Sequence, residues 1–220
     1  MCRFLLVRST KPVCPASTVR EFARMCEHSR TVDGDRQEDG WGIAWFQGGS
    51  WRHWKSLRAI WTEDESFDSF PATHLFAVHA RSATFPNQKG SLEFNQPYVH
   101  DSLCFVFNGS IQGMRPNGTI PGKIGSQKLF YWIVQRLGQV DEKTALETLR
   151  DWVLGSAGDV VALNIGLIVG TKLLALCQYH DKPEYYTLQY AQEWGITMIC
   201  SEKIGHFSWH AMSSGEVSSL

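Results

Sequence analysis

Several features that would assign this 220-residue chain to a class at once are missing from it. It has no C-x-x-C pair: Cys2, Cys14, Cys26, Cys104, Cys177 and Cys200 lie far apart. That spacing argues against a zinc site and against a dense disulfide framework, so no metal and no cofactor is expected. Basic runs and an acidic tail are absent too, and the net charge is only −1, so nucleic acid and anionic membrane are not expected partners. Nor does any apolar stretch reach the roughly 20 residues that span a bilayer. The apolar part of "MCRFLLVRSTKP" is too short for a secretory signal, and a soluble, cytoplasmic protein is expected. There is no repeat, low-complexity segment or linker that would divide the chain.

What is present is a hydrophobic content of 43%, enough for one well-buried core and hence one domain over residues 1–220. "CRFLLVRS" reads as a buried strand, and "STVREFARMCEHS" as an amphipathic helix. "RTVDGDRQED" reads as a loop, and "GWGIAWFQGGSWRHWKSL" as two strands about a Gly-Gly turn. "HLFAVHARSAT" and "SLCFVFNGSIQG" are further strand-like runs. "QKLFYWIVQRL" and "DEKTALETLRDWVLGS" have helical spacing, the second with Asp141 as its cap. "VVALNIGLIVG" and "KLLALCQYH" form a hairpin signal, with "YYTLQYA" and "ITMICSEKI" as later strands. The order predicts an α+β layered domain.

Four short clusters could carry chemistry. Cys2 stands directly behind Met1; once Met1 is removed, one residue offers both a thiol and a free α-amine. A free thiol has a pKa near ~8.5 and the amine one near ~7.7–8.0, so the amine can serve as base for the sulfur. The same cysteine also suits a buried strand. Around Trp41, Gly40 and Gly42 permit the close approach of a backbone or a ligand, or simply a tight turn. In "HARSAT", Arg81 has the planar fork that binds a carboxylate, while Arg81 and His79 would equally suit structural roles. In "FVFNGSIQG", Asn108-Gly109 is either a hairpin turn or a pair of donors, side-chain amide and backbone N–H, aimed at one oxygen.

Taken in order, Cys2, Asp-Gly-Trp-Gly, His-Ala-Arg and Phe-Asn-Gly resemble the class II glutamine amidotransferases of the N-terminal nucleophile hydrolase superfamily. The likeness is to the short stand-alone group that acts on γ-glutamyl compounds in ergothioneine biosynthesis and glutathione degradation. "SEKIGHFSWHAMSSGEV" matches its C-terminal segment loosely. The resemblance implies a four-layer αββα sandwich of two antiparallel sheets. It also implies that Cys2 attacks a side-chain amide to form a thioester, that its α-amine handles the proton, and that Asn108 and Gly109 stabilise the oxyanion. Arg81 would hold the α-carboxylate, with His79 and Ser126 beside the substrate and Trp41 and Gly42 on the pocket floor.

Two departures stand out. Where relatives carry Thr-Asp-Ser-Glu this chain reads "IGSQ", so Gly125 replaces an aspartate that would face the α-ammonium. Where many relatives have Asn-x-His-Pro-Phe it reads "NQPY", with Gln96 in place of the histidine. Asp39, Asp101 or another carboxylate could substitute. The expected activity is hydrolysis of the γ-glutamyl amide of glutamine or of a γ-glutamyl conjugate. The alternatives are a glutaminase subunit passing ammonia to a separate synthetase partner, and a degenerate relative that binds without turnover.

Overall fold

The computed structural model describes residues 1–29, 34, 36–114 and 119–220; part of the charged loop read at 30–39 therefore lies outside the described residues. The first strand, β1 (Arg3–Val13), shows why the chain layers as it does. Its side chains alternate between two buried faces: Phe4 and Leu6 enter one cluster, Leu5 and Val7 another. A strand apolar on both faces needs a layer on each side.

On one side of β1 lies α1 (Ala16–His28), which buries Ala16, Val19, Phe22, Ala23 and Cys26, the three-four spacing of a single helical face. Then follow β2 (Trp41–Gln47), β3 (Ser50–Ser56), two 3-10 turns at Ile60–Thr62 and Asp64–Ser69, and β4 (Thr73–Ala80). The chain continues with β5 (Tyr98–His100), β6 (Leu103–Gln112), α2 (Gly125–Arg136), α3 (Glu142–Ser156), β7 (Asp159–Val169) and β8 (Lys172–Cys177). It ends with α4 (Pro183–Tyr186), β9 (Gln189–Glu193), β10 (Ile196–Cys200), β11 (His210–Ala211) and β12 (Glu216–Ser219). The segment "YYTLQYA" thus opens as helix: Pro183 occupies the first turn of α4, and the strand begins at Gln189.

The strands form two antiparallel sheets. One has seven strands in the order β11-β9-β10-β1-β4-β2-β3, the other five in the order β12-β8-β7-β6-β5. Phe4, Leu6, Ala44 and Ala77 of the first meet Cys104, Val106, Ile168 and Ala175 of the second. On the outer face of the second sheet, Phe105, Phe107, Leu163 and Ile165 pack under Leu129 and Ile133 of α2 and Leu146 and Leu149 of α3. Helix, sheet, sheet, helix is the αββα sandwich that the sequence suggested. Asp141 caps α3 as read, accepting from the backbone N–H groups of Lys143 and Thr144 at 3.1 and 3.0 Å.

One local reading changes. Asn108-Gly109 is not a hairpin turn but lies within β6, opposite Asn164 and Leu163 of β7.

Candidate active site

Cys2 precedes β1 and is partly exposed; its Sγ points at the carbonyl oxygen of Ser82, 3.5 Å away. Next to it, Arg3 is completely buried and fixed on three sides. Its guanidinium donates to Ser29 Oγ (2.9 Å), to the Tyr185 carbonyl (3.0 Å) and to Glu202 Oε1 (2.8 Å), and lies 3.8 Å over the Tyr185 ring. The residue after the thiol is thereby held rigidly. Ahead of the thiol, the Met1 carbonyl accepts from Gln37 Nε2 (3.0 Å) and Tyr185 OH (3.3 Å). Burial pushes the Met1 α-amine below its ordinary pKa.

A cleft opens at this point. Met1, Cys2, Arg81, Phe94, Gln96, Gly109, Gly125 and Ser126 are among its walls. Five residues singled out in the sequence, Cys2, Arg81, Gly109, Gly125 and Ser126, therefore converge on one space. Arg81 is buried at its edge, donating from Nη1 to Asn95 Oδ1 (3.3 Å) and from Nη2 to the Gln88 carbonyl (2.7 Å). Ser126 Oγ pairs with Tyr98 OH at 3.2 Å.

Trp41 and Gly42 are not in that wall. Trp41 turns to the outer face of its sheet, where it meets Trp54, Phe67 and Phe70 and donates to Glu63 Oε2 at 2.7 Å. The two glycines receive a neighbouring segment instead: a Cβ on Gly42 would lie 2.5 Å from the Gln96 carbonyl oxygen, and one on Gly40 would strike the Asn95 side chain. The approach allowed by "DGWG" is that of a backbone, and it positions Asn95 to hold Arg81 and Gln96 to hold β6.

Gln96 extends the sheet with its side chain. Ahead of the Tyr98–Phe105 pair, where β5 begins, its Oε1 accepts from the Phe107 N–H at 2.6 Å and its Nε2 donates to the Phe107 carbonyl at 3.4 Å. A primary amide offers the same donor and acceptor as a peptide group, so it continues the ladder by one residue.

His79 also lies behind the wall rather than in it. It is fully buried, and its Nε2 is 3.1 Å from the Phe107 carbonyl. Because that oxygen can only accept, Nε2 carries the proton and Nδ1 is left as an acceptor without a partner. Burial pulls its pKa down to about 3, keeping the ring neutral. Asn108 follows on the inter-sheet face shared with Cys104 and Val106; it is fully enclosed, and both its Oδ1 and Nδ2 lack hydrogen-bond partners. At Gly109 a Cβ would collide with the Ala162 carbonyl, so only glycine fits.

Neither candidate substitute carboxylate lines the cleft. Asp39 accepts from the Ala83 N–H at 2.8 Å and pairs with Lys89 at 2.9 Å, while Asp101 lies exposed in the β5–β6 turn. Among the described residues no cluster of side chains could hold a metal, and no helix is long and apolar enough to cross a membrane.

The sequence profile of the class II glutamine amidotransferases matches residues 1–192. The chain belongs to this family. Its members are enzymes, and the fold and family support glutamine amidohydrolase activity in general. Among solved structures, a glutamine aminotransferase class-II domain protein from Silicibacter pomeroyi superposes with a TM-score of 0.65 at 15% identity, covering 99% of this chain and 94% of that one. A predicted glutamine amidotransferase from Pseudomonas aeruginosa PA01 gives 0.58 at 16%, covering 99% and 96%. The glutamine phosphoribosylpyrophosphate amidotransferase of B. subtilis gives 0.71 at 16%, covering 99% of this chain but only 47% of its own. The chain thus spans about half the length of that enzyme and shares its N-terminal nucleophile hydrolase fold. No curated protein sequence matches it significantly.

The sequence reading missed Gln37, Tyr185 and Glu202, which hold Met1 and Arg3 on either side of Cys2. Arg3 alone gave a signal, as a charge placed at the head of an apolar strand.

Proposed function

We propose that this chain, once trimmed of Met1, hydrolyses the side-chain amide of a glutamine-like substrate through a thioester on Cys2. The convergence of Cys2, Arg81, Gly109 and Ser126 on one cleft carries this reading. The α-amine of Cys2 takes the thiol proton, and the sulfur bonds to the amide carbon. Asn108 and Gly109 donate to the oxyanion, and the C–N bond breaks as the leaving nitrogen receives the proton. Water then cleaves the thioester, releasing the carboxylic acid and restoring the thiol. Arg81 binds the substrate's carboxylate as a fork. His79, neutral and hydrogen-bonded to the Phe107 carbonyl, supports the strand that presents Asn108 and touches no substrate.

The deciding experiment is intact mass before and after treatment with 6-diazo-5-oxo-norleucine. The expected result is a chain lacking Met1 with one adduct, absent in Cys2→Ala. A chain that retains Met1 and still turns substrate over would sink the proposal, because an acylated nitrogen cannot act as the base. The isolated mature chain is expected to release ammonia without a synthetase subunit.

A further inference from the structure

Resting on that reading of the site, we infer that the preferred substrate is a glutamine derivative whose α-nitrogen is uncharged, such as an Nα-acylated glutamine, rather than free glutamine. The first ground is charge. Arg81 is the only charged side chain among the described residues that wall the cleft. A free α-amino acid brings an ammonium as well as a carboxylate, and no acidic side chain among the described residues of the cleft wall offers that ammonium a counter-charge. The carboxylates nearest in the sequence are committed elsewhere: Asp39 to Lys89 and the Ala83 N–H, and Glu93 to Lys123 at 2.9 Å.

The second ground is the sign of the field at another stretch of the same wall. Helix α2 begins there with Gly125 and Ser126, and the preceding Ile124 supplies no side-chain cap. The first helical bond runs from the Lys128 N–H to the Ile124 carbonyl, so the N–H groups of Gly125, Ser126 and Gln127 have no partner within the helix. A helix start carries partial positive charge; it repels an ammonium and favours a carbonyl oxygen, which an acyl group on the α-nitrogen provides.

The third ground is room. A Cβ on Gly125 would meet nothing within 4 Å, and Ile111, Ile124 and Phe85 are apolar members of the cleft wall. Arg81 for the carboxylate, N–H groups for an acyl oxygen and apolar side chains for its carbon chain together describe one ligand class.

The test compares ammonia release by the mature protein from glutamine and from Nα-acetylglutamine, alongside labelling of Cys2 by 6-diazo-5-oxo-norleucine and by its Nα-acetyl form. The acetylated substrate should show a kcat/KM about tenfold higher or more. Gly125→Asp, an exposed position at a helix start where aspartate is favourable, should move the ratio back toward glutamine by a similar factor. If Cys2 is labelled and glutamine is used as well as or better than its acetyl derivative, the inference fails while the reading of the site stands. If neither reagent labels Cys2 and neither substrate is turned over, both fail.

Discussion

Asn108 is enclosed completely, and neither end of its amide finds a hydrogen-bond partner. Leaving such a group unpaired costs about 1–3 kcal/mol, so the fold holds it against its own stability. Asn108→Ala is therefore expected to reduce kcat by about 10²–10³ while the unfolding free energy rises by about 1 kcal/mol. An asparagine with a structural role would show the reverse pattern in activity and urea-melt measurements. His79 gives a second test at this scale. Its pKa in the fold, about 3, lies below the unfolded value near 6.5, so the unfolded chain takes up the proton first on acidification. The stability it contributes is intact above the unfolded value and is lost as pH falls toward the folded one. Between pH 7 and pH 5 the loss should be about 2 kcal/mol, and His79→Gln should flatten that limb of the pH–stability curve.

Among the elements, β6 shows what a linear reading can and cannot reach. The alternation of "LCFVF" was legible because adjacent residues face opposite layers. Whether Asn108-Gly109 turned or ran straight depended on β7, a partner distant in sequence, and local turn chemistry could not decide it. The role of Gln96 was hidden for the same reason: nothing in "NQPY" says that its side chain will stand in for a strand residue opposite Phe107. Gln96→Met keeps the shape and removes the amide, exposing a buried N–H to no partner. It should cost about 1–3 kcal/mol of stability and lower kcat more than it alters KM, since Phe107 precedes the proposed oxyanion donor. Full kcat in that variant would show that β6 holds its course without the side chain. The "DGWG" signal was read correctly as a place of close approach and wrongly as a pocket floor, because Trp41 follows the pleat to the outer face.

At the scale of the whole molecule, the order of elements in sequence indicated the layers, but the strand order was not readable. β1 lies between β4 and β10, and that central place brings residue 3 against residue 202. The contact ties two distant parts of the chain together beside Cys2. Glu202→Ala leaves a fully buried guanidinium short of its carboxylate and should cost about 3 kcal/mol. Combining it with Arg3→Met should recover much of that loss in denaturant unfolding, because the uncompensated charge is then gone. Recovery of stability without recovery of kcat would separate the pair's structural role from its hold on Cys2.

The carbonyl of Met1 is gripped by Gln37 and Tyr185, its α-amine is buried, and its side chain packs beside Ala162, Tyr185 and Tyr186. Under the proposed chemistry a chain that folds with Met1 in place is latent. An aminopeptidase reaches Met1 most readily while the N-terminus is still loose, because in the fold these contacts hold the residue in place although it stays partly exposed beside the cleft. Maturation is then a race between an exopeptidase and collapse of the sandwich. Protein refolded with Met1 in place should resist the peptidase and stay latent until it is unfolded again.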